Sequence, residues 1–257
     1  MGRPEIMAKL VKQCKLFIQG VLLLNILWFI ASILIDSNVV PNPLEIYKNL
    51  TRLAEDDIVI HILYSLRRIA IGLALSLAIG TPIGILMAYS KNFSKVLYPL
   101  IYLCYPIPKS VLLPVAMLLW GMRDGSKIVI IFLIIVFQVI VSVRDSVANI
   151  DASMYQVIKS AGANRWQVIR HVTLPAILPQ LLTSVRISLG TAVSVLFFVE
   201  GYGTEYGLGY YILDAWSRIN YIDMYLGIMV ISLLGFALFM LIDLLSNKLC
   251  KWSDTVE

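Results

Sequence analysis

Residues 16–35 run for twenty positions without a charged side chain, and five further apolar runs follow at 69–89, 97–120, 128–143, 181–199 and 224–245. About 20 apolar residues in helical form cross the ~30 Å hydrocarbon core of a bilayer. In that core every backbone N–H and C=O must be satisfied within its own segment, so runs of this kind fold as helices. The expectation is an all-α, polytopic membrane protein with six transmembrane helices and one membrane domain over residues 1–257. Composition excludes the soluble alternative: 59% of the chain is apolar and 14% charged, against about 25% charged in soluble domains. The first run is longer than a signal-peptide core and lacks a small-x-small cleavage site, so it reads as a retained span.

Small residues and prolines indicate what the spans face. Gly72, Gly80 and Gly84 recur at multiples of four in the second run. A stripe of small residues lets helix backbones approach closely in lipid, so this stripe is expected against a neighbouring helix. The third run carries Pro99, Pro106, Pro108 and Pro114. Each removes a backbone donor, which is tolerated at membrane depth only beside protein or a water-filled cavity. Residues 36–60 form a polar connection with a short amphipathic helix over 44–53, and residues 201–223 a loop rich in Gly and Tyr. Twelve Lys and Arg fall on the side of the two termini and of residues 144–180, seven on the other side, and Lys109 and Arg186 within spans. The positive-inside rule places both termini and the 144–180 segment in the cytoplasm. A net charge of +5 is then a topological signal, and no nucleic-acid partner is expected.

The 144–180 segment is the one long polar interruption on that side. Val147, Ile150, Met154, Val157/Ile158 and Ala161 recur at steps of three and four, which is one face of a helix. Gly162 breaks that helix, since Gly adopts a left-handed turn without steric cost. Asn164 is placed to cap a second short helix, with Gln167 as its capping-box partner. Trp166, Ile169 and Val172 give a second apolar stripe, and Leu174-Pro175 and Pro179 are expected to end it before the chain re-enters the membrane. Two short helices around a glycine turn, on the water side of a membrane protein, form a docking surface.

The run from Ser160 to Trp166, followed by Val172-Thr173-Leu174-Pro175 with Pro175 thirteen residues after Gly162, resembles the cytoplasmic loop of ABC-importer membrane subunits. That loop is the EAA loop, whose short helices insert into a cleft on the ATP-binding subunit. The resemblance covers residues 65–252 and is nearest to permeases of the nitrate/sulfonate/taurine group. It implies a type I ABC-importer permease fold in the cell inner membrane. It also implies two permease copies, a cytoplasmic ATPase dimer and an extracytoplasmic solute-binding protein as partners. The ATPase contact falls on Tyr155, Gln156, Ile158, Ala161, Gly162, Ala163, Leu174 and Pro175. The implied cargo is a small anion such as a sulfonate, taurine or nitrate, with a vitamin or pyrimidine precursor as the alternative. The chain departs from the pattern at Gln156-Val157-Ile158, where the loop's namesake Glu-Ala-Ala would stand.

No catalytic residue is expected. A P-loop is absent, so ATP is held by the partner subunit and the chain needs no cofactor of its own. Cys14, Cys104 and Cys250 have no metal or disulfide spacing, and His61 and His171 stand apart, so no metal site is expected. A secondary transporter would show inverted repeats and coupling carboxylates at mid-membrane; only Asp243 is available, near the end of a run. A membrane-embedded enzyme would need paired Asp, or Ser with His, at that depth. Three charged residues are candidates for the pathway. Lys109 lies near mid-depth at ~1.5 Å per residue, among prolines that suggest a cavity-facing segment. Arg186 lies about a turn into the fifth run, where the alternative is snorkelling to the interface. Glu200 closes that run beside Gly201-Tyr202-Gly203, which lacks the Thr-Val pair of a potassium-channel filter. Tyr202, Tyr206, Tyr210, Tyr211 and Trp216 suit an interfacial belt or a face for the binding protein.

Overall fold

The computed structural model describes residues 3–252, with side chains from residue 19 onward. Every regular element among them is helical. In chain order these are α1 (Arg3–Ile35), α2 (Pro43–Lys48), α3 (Arg52–Glu55), α4 (Ile58–Tyr89), α5 (Lys91–Cys104), α6 (Leu113–Trp120) and α7 (Asp124–Ala148). Then come α8 (Ala152–Ser160), α9 (Arg165–Val168), α10 (Leu174–Glu200), α11 (Leu208–Ser217) and α12 (Tyr221–Leu249). Among the described residues four helices are long and apolar enough to cross a membrane: α4, α7, the continuous run Arg165–Glu200, and α12. The α5–α6 pair makes a fifth if taken as one broken span, and Gln19–Ile35 is a shorter apolar stretch at the end of α1.

The third apolar run is not one helix. It breaks by 87° between Lys91–Cys104 and Lys109–Trp120, where Pro106 and Pro108, two positions apart, each remove an i→i−4 bond. The second span starts at Ile58, eleven residues before the apolar run, so Arg67, Arg68 and His61 lie inside the helix and not in the preceding loop. The single amphipathic helix expected over 44–53 is two short ones, α2 and α3, separated at Asn49. The 201–223 loop contains α11.

Two compact units are distinguished. One comprises the chain up to Ile58 with Ile212–Ile228. Within it Ile46 is fully buried, Trp28 stacks on Tyr225 with centroids 5.2 Å apart, and Arg52 pairs with Asp223 at 3.5 Å. The other, Val59–Tyr211 with the chain from Met229 onward, holds the main core. There Ile131, Ile135, Val139, Val143 and Val147 of α7 share one cluster with Val185, Leu189, Ala192 and Leu196 of α10. The spacing of four along α7 keeps these side chains on one stripe.

The edge of the same α7 stripe receives α4. An added Cβ at Gly72 would lie 2.6 Å from Ile131 Cγ2, at Gly80 2.9 Å from Val139 Cγ1, and at Gly84 2.8 Å from both Ile140 O and Val143 Cβ. Ser76 Oγ donates to its own-helix Gly72 O at 2.7 Å and lies 3.1 Å from Phe132 O of α7. The glycine stripe therefore faces a neighbouring helix, as its spacing predicts, and van der Waals approach is what binds helices where lipid is as apolar as the side chains. Gly84→Ala is expected to cost about 1–3 kcal/mol through overpacking and to lower the thermal unfolding midpoint in detergent. Gly20→Ala, which meets nothing within 4 Å, should not lower it.

Candidate functional site

At one end of the main unit the chain leaves the membrane helices for two short ones. The helix face expected to run unbroken from Val147 to Ala161 is interrupted: α7 ends at Ala148, and Asp151 begins α8 as its N-cap, accepting from Ser153 N–H at 2.8 Å. That bond holds the Asp151 carboxyl below its usual range. α8 closes in a Schellman motif, with Gly162 N–H donating to Lys159 O (2.9 Å) and Ala163 N–H to Ile158 O (3.3 Å). Gly162 takes φ +80° with open space around its missing Cβ. Asn164 and Gln167 then form the reciprocal capping box at 2.8 and 2.9 Å. α9 does not stop at Leu174-Pro175. A π-helical turn over Ile169–Thr173, with Leu174 N–H donating to Ile169 O, joins it to α10. The wider turn accommodates a residue without an N–H and keeps the axis continuous.

Breaking the stripe at Asp151 changes which side chains point outward. Tyr155, Ile158, Ala163 and Pro175 are half-buried, whereas Gln156, Ala161, Gly162 and Leu174 are exposed. The large apolar groups most open to solvent are Met154 (54%), Val157 (69%) and Trp166 (66%). Those three belong to the apolar stripes but not to the expected contact set, because the cap restarts the helical phase. Tyr155 roots α8 instead. Its ring meets Tyr89 edge-on at 6.3 Å, and Tyr89 Oη and Thr173 Oγ1 are hydrogen-bonded at 2.7 Å. Burial pushes the Tyr155 phenol up to about 12.

Directly membraneward of α8 lies a hollow of about 690 Å³ between α7 and α10. Gln138, Ser142, Asp145, Ser146 and Asn149 reach it from α7, and Gln180, Thr183, Ser184 and Ile187 from α10. The α10 stripe continues through Thr191 and Ser194, which are also exposed. The three basic or acidic candidates sit elsewhere. Lys109 Nζ donates to Cys104 O (2.7 Å) and Tyr105 O (2.6 Å), capping α5 where the helix dipole favours a cation. Arg186 pairs with Asp243 at 3.1 Å and lies over Phe239.

Glu200 is fully buried at the opposite end of α10. Arg68 Nη1 donates to it at 2.6 Å, Ser65 Oγ at 2.8 Å and Gly209 N–H at 2.9 Å. Arg68 also donates to Asp124 Oδ1 through Nε at 2.8 Å and to Tyr206 O at 2.8 Å. The chain after α10 is thereby tied to α4 and to the start of α7. Tyr210 and Tyr211 pack against His61, Tyr206 covers His61 and Tyr64 from the surface, and Tyr206, Tyr202 and Trp216 are exposed. Depth arithmetic contains the signal for this cluster: α4 and α7 start, and α10 ends, at the same side. Reading Arg67-Arg68 as loop residues obscures it.

Residues 80–251 match the family described as the binding-protein-dependent transport system inner membrane component. The chain belongs to this family of ABC-importer permeases. It is 31% identical over 242 residues to the taurine transport system permease protein TauC of Escherichia coli, covering 91% of this chain and 88% of TauC. It is 28% identical over 232 residues to the formylaminopyrimidine transport permease protein ThiX of Halalkalibacterium halodurans, covering 90% and 93%. Among solved structures, the inward-facing MetNI methionine ABC transporter superposes with a TM-score of 0.66 at 20% identity, over 75% of this chain and 95% of that one. A bacterial ABC transporter for alginate import gives 0.60 at 19% identity, over 93% and 99%. The fold is that of the type I importer permeases, and as a permease subunit the chain is not itself an enzyme.

Removing one partner of this permease's buried Arg68–Glu200 pair leaves the other charge uncompensated. Arg68→Met is expected to destabilise by about 3–5 kcal/mol, and Arg68→Met with Glu200→Gln by less. Unfolding midpoints of the two single variants and the double variant in detergent measure the coupling.

Proposed function

We propose that two copies of this permease form a membrane passage for a small polar solute, driven by a separate ATP-hydrolysing subunit that grips residues 149–175. In this reading both termini and the docking segment are cytoplasmic, ATP stays on the partner, and an extracytoplasmic binding protein delivers the solute. The relatives point to cargo of the size of taurine or a formylaminopyrimidine. The observation that carries the reading is the docking segment itself. Two short helices, each with its own cap, are set at a fixed angle by one left-handed glycine. Together they hold Met154, Val157 and Trp166 out in water. Such an apolar surface is a hazard unless a partner covers it.

The polar α7–α10 hollow supplies the passage. Hydroxyl, amide and carboxylate groups on membrane-spanning helices are costly against lipid and belong beside water or protein. Closure of two ATPase subunits would carry the docking segments together, and each would move its own α10 with it through the π turn.

Gly162→Asp places a charge at the centre of the contact and a side chain at positive φ, which alone costs on the order of 1 kcal/mol. Co-purification of the ATPase and solute uptake are expected to fall below a tenth of the parent while the amount of membrane-inserted permease is unchanged. A variant that still binds its ATPase and transports would show that this segment is not the coupling element.

A further inference from the structure

We infer that the solute crosses the inner half of this passage without net negative charge: as a zwitterion, a neutral amine-bearing molecule or a cation. The inference rests on the α7–α10 hollow being part of the passage. The expectation of an anion leaned on Lys109 and Arg186, and neither ammonium nor guanidinium is offered to the hollow. Tyr105 lines it, but Lys109, one turn on, gives two of its three donors to the Cys104 and Tyr105 carbonyls and lies near the Tyr105 and Phe137 rings, 5.7 and 5.2 Å from their centres. Ile187 lines it, but its neighbour Arg186 turns to Asp243 and Phe239. The third nearby cation, Arg144, donates twice to Asp145 Oδ1, at 2.8 and 2.7 Å, and rests over the Tyr98 ring.

The lining itself carries no basic side chain. It presents two carboxylates, Asp145 and Asp151, and eight neutral hydrogen-bonding side chains, Tyr105 with the amides and hydroxyls of α7, α10 and Asn149. Asp145 keeps a side-chain exposure of 54% despite Arg144, so one carboxylate oxygen remains open to the hollow's contents. Asp151 accepts from Ser153 N–H through Oδ1 and has no basic partner among the described residues. A low-dielectric cleft lined by one sign of charge concentrates the opposite sign and depletes its own. Nitrate or a simple alkyl sulfonate entering here would meet the Asp151 carboxylate, the Arg144-paired Asp145 and no basic side chain in the lining. An amino group meets carboxylates and carboxamide oxygens that accept from it.

The local potential can be read directly. Ser142→Cys and Thr183→Cys are made separately in a permease with Cys14, Cys104 and Cys250 replaced by serine, assembled with its ATPase in nanodiscs. Each is labelled with a trimethylammonium-bearing and a sulfonate-bearing methanethiosulfonate, with rates normalised to a small thiol in solution. A normalised preference of at least fivefold for the cationic reagent is expected at both sites, falling toward one when Asp145→Asn and Asp151→Asn are added. No preference, or preference for the sulfonate reagent, overturns the inference while leaving the passage in place. Failure of both reagents to label either site overturns the passage reading, and the inference with it.

Discussion

The main unit depends on the burial of α7 from two directions. The glycines of α4 bring that helix to backbone contact with Phe132, Val136 and Ile140, and the α10 stripe through Leu189, Ala192 and Leu196 fills the core cluster beside it. Both contacts are short-range packing, the force that remains when lipid removes the hydrophobic drive between helices. With two faces taken, the part of α7 that carries Gln138, Ser142 and Asp145 borders the hollow. Polar groups that would be expensive against acyl chains thus have one place to go. The hollow is what α4 and α10 leave uncovered.

α10 connects the two ends of this arrangement. From Arg165 to Glu200 the axis is unbroken for 36 residues, or roughly 54 Å at ~1.5 Å per residue. One end carries the α8–α9 segment, rooted through Thr173 and Tyr89. The other end is anchored by Glu200 in a buried set of donors from Arg68, Ser65 and Gly209. A buried ion pair adds little net stability over an apolar replacement, but it holds its geometry tightly once every donor and acceptor is matched. The Glu200 cluster accordingly fixes where the chain after α10 returns, and Gly207 is required there: a Cβ would stand 2.5 Å from Glu200 Cδ.

Much of this was legible in the residues. The all-α membrane class, the helix-facing role of Gly72, Gly80 and Gly84, the Gly162 turn and the Asn164–Gln167 box each follow from local chemistry that needs no partner in space. The features the sequence left open were local geometry without a distinctive residue pattern, and one long-range cluster. Asp151 looks like any loop acid until its carboxylate is seen on Ser153 N–H, and only then does the outward set become Met154, Val157 and Trp166. Pro175 reads as a helix stop because a π turn leaves no mark of its own in the sequence. Arg68 reads as a topological charge because its partners, Asp124 and Glu200, lie 56 and 132 positions away. Lys109 reads as a pathway charge because mid-depth is visible in sequence and the two carbonyls that bind it are not.

In the proposed mechanism the α8–α9 segment and the polar face of α10 move as one body. Spin labels at Val157→Cys in the two copies of the assembled transporter, and in a second sample at Thr183→Cys, report both parts by pulsed electron resonance. Trapping the ATPase with ATP under conditions that block hydrolysis should shorten the Val157 distance and shift the Thr183 distance in the same sample conditions. A Val157 distance that shortens while the Thr183 distance stays unchanged would mean that the π turn flexes and that α10 does not carry the motion.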